Sequence, residues 1–416
     1  MRVDRTVAVR ARSPRSGVAF VRTVLIAAIL STGVATAREV DDPELAAPGP
    51  YAVGIASTVW VQPDQPDVLS LDPKTGAHPL RDRPLAVDIW YPADPAPNAG
   101  PVIYGGSLTG EDGHDVAFTA PGVAVAAAHA SAGSFPLVIL AHGYGGTPVA
   151  MSWLAEDLAS KGYVVVGPHF DDPPITDTAK FIQPLVRRPL DIAFVTGEAQ
   201  RLARAHGGAL ANADPGRTVL IGYSMGGYGA LKAAGATRDL RAVVAIAPAS
   251  RFAAAAPFSP ADLTAPTLYI VGDRDPLVGY DPGVKTLFSA QIHAPRYLLT
   301  FKGAGHSLGM NPAPAQMHGT LWDLDWWEDP VWRKDRALAV ERHFITAFLG
   351  RYVKGDAAMA AYLEAPTPQS ADGAWTPQRP TPWDAKSPGG PAITLWKGFQ
   401  RRHAEGLELR FLAPEK

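Results

Sequence analysis

Cysteine is absent from this 416-residue chain. No disulfide, thiolate nucleophile or cysteine metal site can form, so stability must come from packing. Charge of one sign is also absent: 38 Lys and Arg stand against 40 Asp and Glu, a formal net charge of −2. That balance does not point to nucleic acid or to an anionic membrane surface as a partner. Long apolar runs are missing beyond the first thirty residues, and there is no internal repeat. With 47% hydrophobic and 19% charged residues, the chain has the composition and length for a large globular core.

Acidic residues are missing from the start of the chain after Asp4, where Arg2, Arg5, Arg10, Arg12, Arg15 and Arg22 form a basic region. A short apolar stretch, Val24 to Leu30, and a small-residue site, Ala35-Thr36-Ala37, follow. This order predicts a secretory signal peptide over residues 1–37, cut after Ala37, and a protein that is secreted or periplasmic. The apolar stretch is short for a membrane span, which disfavours the alternative of an uncleaved anchor. The expected layout is then one main domain over 38–360, interrupted by an insertion at about 93–134, and a proline-rich extension over 361–416. The insertion, rich in Ala, Gly and Pro, shows no period.

What is present is a run of apolar strands alternating with amphipathic helices. Tyr51 to Val61 reads as an edge strand, 62–83 as loop, and Leu85 to Tyr91 as a strand stopped by Pro92. Buried parallel strands are expected at Phe135 to Ala141, Tyr163 to Gly167, Arg217 to Ile221, Ala242 to Ala247, Thr267 to Val271 and Tyr297 to Phe301. Helical patterns follow Pro148, run from Pro189 to Ala205, leave Tyr228, and span Asp335 to Tyr352. Two short strands, Ile393 to Trp396 and Leu407 to Leu412, suggest a terminal hairpin. The predicted fold class is α/β, a mostly parallel central sheet with helices on both faces. Ligands in such sheets bind at the carboxyl ends of the strands.

The polar signals fall at those ends. Gly222-Tyr223-Ser224-Met225-Gly226 is a G-x-S-x-G pentapeptide between a strand and a helix, the setting in which a serine Oγ is held above the sheet edge. Ser224 is the candidate nucleophile. The Tyr297–Phe301 strand ends in Gly303-Ala304-Gly305-His306, which makes His306, the one of eleven histidines in the loop directly after the last core strand, the candidate base. The orienting acid is Asp275 or Asp273, both after the Thr267–Val271 strand; Asp275 lies further into the loop and is favoured for reach. The oxyanion donors are expected from the backbone N–H of Met225 and from Tyr144 in His142-Gly143-Tyr144-Gly145-Gly146. Trp322 and Trp326, in a tryptophan cluster reaching to Trp332, are candidate substrate-cleft residues, with packing under the last helix as the other reading. His169, beside Asp171 and Asp172, is read as bordering the cleft; one histidine with two carboxylates is too little for a metal site. No metal or cofactor is expected.

The elbow, the His142–Gly146 loop, Arg188-Pro189-Leu190-Asp191-Ile192 and the Leu85–Pro92 run together resemble the α/β-hydrolase superfamily. Within it the chain looks closest to the dienelactone-hydrolase-like and platelet-activating-factor-acetylhydrolase-like secreted esterases, and shares its serine, Met donor and Tyr donor with bacterial cutinase-like polyesterases. The resemblance covers about residues 50–360. It implies ester hydrolysis through an acyl-enzyme, with no cofactor, on a small-molecule, lipid-like or polyester substrate of short to medium acyl length. Dienelactone hydrolases proper use a cysteine nucleophile, which this chain lacks. The 93–134 insertion and the tail fall outside the resemblance. Two other functions stay open: a serine peptidase or amidase on the same fold, and a non-catalytic binding module on a hydrolase scaffold.

Overall fold

A computed structural model of the chain describes residues 41–68, 70–109, 114–173, 177–255, 257–318, 327–372, 395–400 and 403–415. The predicted signal peptide lies outside these residues. Among them, no helix is long and apolar enough to cross a membrane.

In chain order the strands are β1 (Ala52–Pro66), β2 (Leu80–Asp94), β3 (Ile103–Thr109), β4 (Asp115–Pro121), β5 (Val125–Ala126), β6 (His129–Ala130), β7 (Phe135–Ala141), β8 (Val164–Pro168), β9 (Ala213–Tyr223), β10 (Leu240–Ile246), β11 (Thr267–Gly272), β12 (Arg296–Phe301) and β13 (Leu407–Leu412). The α-helices are α1 (Ser152–Ser160), α2 (Ile182–Arg204), α3 (Met225–Ala233), α4 (Lys285–Ala290) and α5 (Lys334–Tyr352). The main sheet runs β13-β12-β11-β10-β9-β7-β8-β2-β1-β5. Its centre, from β8 through β12, is parallel, and β2 and β13 close it with antiparallel pairing. Helices α2 and α3 pack together on one face, and α1 and α5 on the other. The expected α/β architecture is therefore present.

Four of the parallel strands, β7, β8, β11 and β12, are buried along their whole length, and β9 and β10 are buried over their carboxyl-terminal halves. A strand covered on both faces reads as a continuous apolar run, which is why the sequence shows these so clearly. The first two strands are longer than expected. They form an antiparallel ribbon that reaches into the 62–83 segment, with the register shifting between Gln62 and Gln65. Half of that ribbon is solvated, so its polar residues read as loop. Helix α2 starts at Ile182 and passes through Pro189, seven residues earlier than the pattern suggested.

Two further departures lie outside the predicted core. Within the insertion, β3 and β4 form a separate two-stranded antiparallel sheet. Near the C-terminus, β13 pairs with β12, Arg296 opposite Leu412 and Phe301 opposite Leu407, so it extends the main sheet rather than forming a terminal hairpin. Part of its expected partner, Ile393 to Trp396, falls outside the described residues, and Trp396 is in no strand.

Candidate active site

Strand β9 delivers Ser224 directly from Tyr223 to the N-terminus of α3. Ser224 has φ 52° and ψ −117°, a left-handed conformation that a non-glycine residue holds only when its surroundings enforce it. Three backbone hydrogen bonds do so. The Ser224 N–H donates to the Ile246 carbonyl at 2.9 Å, and the Ser224 carbonyl accepts from the Tyr228 and Ala249 N–H groups at 3.0 Å each. The glycines around it are required by contact. A Cβ on Gly222 would lie 2.2 Å from the Gly226 carbonyl oxygen, and one on Gly226 would lie 2.1 Å from that of Ala141. The turn can be this tight only with hydrogen at both positions.

Asp275 and His306 arrive from the ends of β11 and β12. His306 Nε2 lies 3.0 Å from Ser224 Oγ, and His306 Nδ1 lies 2.7 Å from Asp275 Oδ2. The other carboxylate oxygen, Asp275 Oδ1, accepts the Leu277 and Val278 N–H groups at 2.9 and 3.1 Å. Asp275 and His306 are both buried, so the His–Asp hydrogen bond is shielded from water. The His306 loop is pinned from several sides. The Tyr223 hydroxyl donates to the His306 carbonyl at 2.7 Å, the Gly305 N–H donates to Asp329 at 2.7 Å, and Lys334 Nζ donates to the Ser307 carbonyl at 2.7 Å. Asp273, the rival acid, points elsewhere: it accepts from the Gly303 N–H at 2.6 Å and pairs with Lys302 at 2.7 Å. The geometry separates the two aspartates that the sequence left as alternatives.

The loop after β7 stands beside the serine. A Cβ on Gly143 would lie 3.3 Å from the Ser224 Cβ. The loop is held by a buried polar network. Arg188 Nη1 donates to the His142 carbonyl at 2.6 Å, and Arg188 Nη2 reaches both oxygens of Asp172 at 2.6 Å. Asp172 in turn accepts the Gly145 N–H at 3.0 Å. Arg188 is 1% exposed and its guanidinium stacks 3.8 Å above the Phe170 ring. His142 is tied at both nitrogens: Nδ1 is 2.7 Å from the Gly143 carbonyl, and Nε2 accepts the Phe170 N–H at 3.2 Å. Its pKa lies well below the ordinary imidazole value, first because it is buried and then because Arg188 is near. It is a neutral structural prop with its proton on Nδ1.

The cleft over Ser224 has a volume of about 140 Å³. Its walls include Tyr144, Phe181, Phe252, Leu277, Val278 and Trp327. The Tyr144 ring meets Phe181 edge-on at 5.0 Å, and Phe181 meets Phe252 at 4.7 Å. Burial, with the Asp172 and Asp177 carboxylates adding to it, pushes the Tyr144 phenol up to about 12, so the ring presents a neutral wall. Phe118, from β4 of the insertion, also lines the cleft. Phe118, Phe181 and Phe252 carried no sequence signal, because each sits in a segment without period. Arg188 and Asp172 had one: charged residues flanking apolar runs.

One expected residue, His169, is not in the cleft. His169 Nε2 is 2.8 Å from Asp88, and the residue is not among those lining the cleft, so it does not border the site as expected. Among the described residues no group of three His, Cys, Asp or Glu could hold a metal ion. Trp322 and Trp326 lie outside the described residues. Of their neighbours, Trp327 lines the cleft, while Trp332 packs 4.8 Å from Phe301 and donates its Nε1–H to the Lys302 carbonyl at 2.9 Å.

Comparison with known proteins adds an independent line. Residues 120–326 match a family model described as PET hydrolase-like. Cutinase est1 of Thermobifida alba is 31% identical over 34% of this chain and 43% of its own length. Cutinase est2 of the same organism is 28% identical over 42% of this chain and 53% of its own, and cutinase 2 of Thermobifida cellulosilytica is 30% identical over 28% and 40%. The chain thus spans about half the length, or less, of the curated relatives it matches.

Proposed function

Because this chain belongs to the α/β-hydrolase superfamily, in its cutinase-like branch, we propose that it hydrolyses carboxylic esters through an acyl-enzyme on Ser224. His306 Nε2 takes the proton from Ser224 Oγ as Oγ attacks the ester carbonyl carbon. The Met225 and Tyr144 backbone N–H groups receive the negative charge that develops on the carbonyl oxygen. His306 then returns the proton to the leaving alcohol, and the acyl group remains on Ser224. Water enters, His306 removes its proton as the water oxygen attacks the acyl carbon, and the proton then passes to Ser224 Oγ as the Oγ–acyl bond breaks and the acid product leaves. Asp275 holds the imidazole with its Nδ1–H toward the carboxylate and stabilises the imidazolium formed in each half-reaction.

The observation that carries this reading is the hydrogen-bond chain from Ser224 Oγ through His306 to Asp275, at 3.0 and 2.7 Å. A serine in a left-handed turn, aimed at a buried histidine that is itself aimed at a buried carboxylate, has no structural use that would justify its cost. The cleft is apolar and small, which suits esters of short to medium acyl length, and the basic and apolar pattern of residues 1–37 suits an exported enzyme. The cutinase names of the relatives extend the proposal to polymeric esters.

The test is turnover of p-nitrophenyl esters from acetate to palmitate by the wild type and by Ser224→Ala, with a fluorophosphonate label on each. Ser224-dependent turnover and labelling are expected. Labelling without ester turnover would transfer the reading to amide substrates. A folded wild type showing neither would leave a binding module.

A further inference from the structure

The β3–β4 hairpin belongs to the stretch outside the family resemblance, yet it delivers Phe118 to the catalytic cleft. Phe118 is 4% exposed. Its cross-strand partner is Gly106, where a Cβ would stand 2.6 Å from the Phe118 ring, so the glycine leaves the space the ring fills. On the other side of Phe118 lies a second cavity of about 480 Å³. The cleft and this cavity share Phe118, Ala150 and Trp327. Small-molecule sites commonly measure about 300–1,000 Å³. The cleft alone falls short of that range, and its neighbour lies within it.

The second cavity has a defined chemistry. Trp153, Pro121, Pro312 and Pro314 give it apolar walls. Most of its polar groups are already engaged. Asn311 donates to the Val149 carbonyl and Ser152 Oγ and accepts the Trp153 N–H. Gln316 donates to Thr119 Oγ1 at 3.0 Å, which ties this wall to the hairpin. Glu156 Oε1 accepts from the Tyr104 hydroxyl and from the Val123 and Ala124 N–H groups. Arg342 differs. Its guanidinium lies 5.5 Å from the Trp153 ring, and its buried Nε has no hydrogen-bond partner among the described residues. A buried donor left unused is unfavourable, and a ligand oxygen would relieve it. The buried Asp157 carboxylate lies close enough to Arg342 to feel its charge and offset it, so a neutral acceptor suits the site better than an anion.

We propose that this second cavity is a substrate subsite, entered past Phe118 and Trp327, that takes the distal arm of an ester too long for the cleft: an arm chiefly apolar and carrying a neutral acceptor oxygen, such as a second ester carbonyl. The inference rests on the ester-hydrolase reading and adds to it the region that selects long substrates.

The experiment compares kcat/KM of the full chain for p-nitrophenyl butyrate, p-nitrophenyl decanoate and the methyl p-nitrophenyl diester of suberic acid. The set is repeated with the long arm on the alcohol side. Ala120→Trp fills the second cavity from the partly buried hairpin edge and is expected to lower the long-to-short ratio about tenfold on one of the two arms. Phe118→Ala widens the neck and is expected to raise that ratio; it serves as the converse measurement if the tryptophan disturbs folding. Arg342→Met is expected to abolish the preference for the diester over the decanoate. Ratios that both Ala120→Trp and Phe118→Ala leave unchanged, in folded protein, would overturn the subsite. A diester preference that survives Arg342→Met would overturn the acceptor contact. If the wild type fails to turn over the short ester through Ser224, the ester-hydrolase reading itself fails; intact short-ester turnover with unchanged ratios removes only the subsite.

Discussion

Glu341 offers the most quantitative test of how the structure behind His306 is built. It lies on α5, and its side chain is fully buried. Neither carboxyl oxygen has a hydrogen-bond partner of normal geometry among the described residues, although the Gly309 backbone is close enough to favour the anion somewhat. Burial pushes its pKa from 4.5 up to about 8, against the opposing pull of Lys334, the Gly309 backbone and Arg342. A carboxyl whose folded-state pKa exceeds its unfolded one binds its proton more tightly in the native state. Stability is therefore greatest below the unfolded pKa and declines as pH rises, levelling off above about pH 8. At 1.36 kcal/mol per pKa unit, that window corresponds to a loss on the order of 5 kcal/mol from this one group. Glu341→Gln keeps the shape and removes the titration. Urea unfolding of both proteins between pH 5.5 and 8.5 should show the variant gaining on the wild type steadily as pH rises, because all other titrating groups cancel in the difference. A difference that does not change with pH would refute the reasoning. It would mean that Glu341 is ionised throughout and compensated by Lys334 or Arg342.

The remaining predictions concern the cleft. Asp275→Asn should lower kcat about 10⁴-fold by disfavouring the imidazole tautomer that serves Ser224, while Asp273→Asn, which touches only Gly303 and Lys302, should cost far less; the reverse order in steady-state kinetics would move the acid role to Asp273. Arg188→Met should destabilise the fold by about 3–5 kcal/mol, because it leaves the buried Asp172 carboxylate unpaired. In protein that remains folded, it should reduce kcat more than it raises KM, since the loop it holds carries Tyr144, the proposed donor to the transition state. Unchanged kcat and unchanged thermal unfolding would remove the network from any positioning role. Gly226→Ala should prevent correct folding, given a Cβ 2.1 Å from the Ala141 carbonyl oxygen; soluble, active protein with native circular dichroism would contradict that approach distance.

The sequence by itself determined the parallel core and the order of Ser224, Asp275 and His306 at the strand ends. Strands β7, β8, β11 and β12 and the carboxyl-terminal halves of β9 and β10 are buried on both faces, so their residues are chiefly apolar and visible without any neighbour. The glycines of the elbow are likewise local requirements, since Gly222 and Gly226 are excluded from bearing side chains by contacts with the turn itself and with the strand beside it. What needed the tertiary structure was whatever depends on residues far apart in the chain. The choice of Asp275 over Asp273 turns on which carboxylate reaches a histidine thirty-one positions later, a question of direction that spacing does not answer. The long β1–β2 ribbon was obscured because solvent on one side lets its residues be polar. Strand β13 lies where the sequence places it, but its pairing is not legible there, because its partner, β12, is over a hundred residues upstream, and a short strand does not reveal its partner. The Arg188–Asp172–Gly145 support and the Phe118 wall are of the same kind: side chains from separate loops that mean nothing singly and acquire a role only when the fold closes them around Ser224.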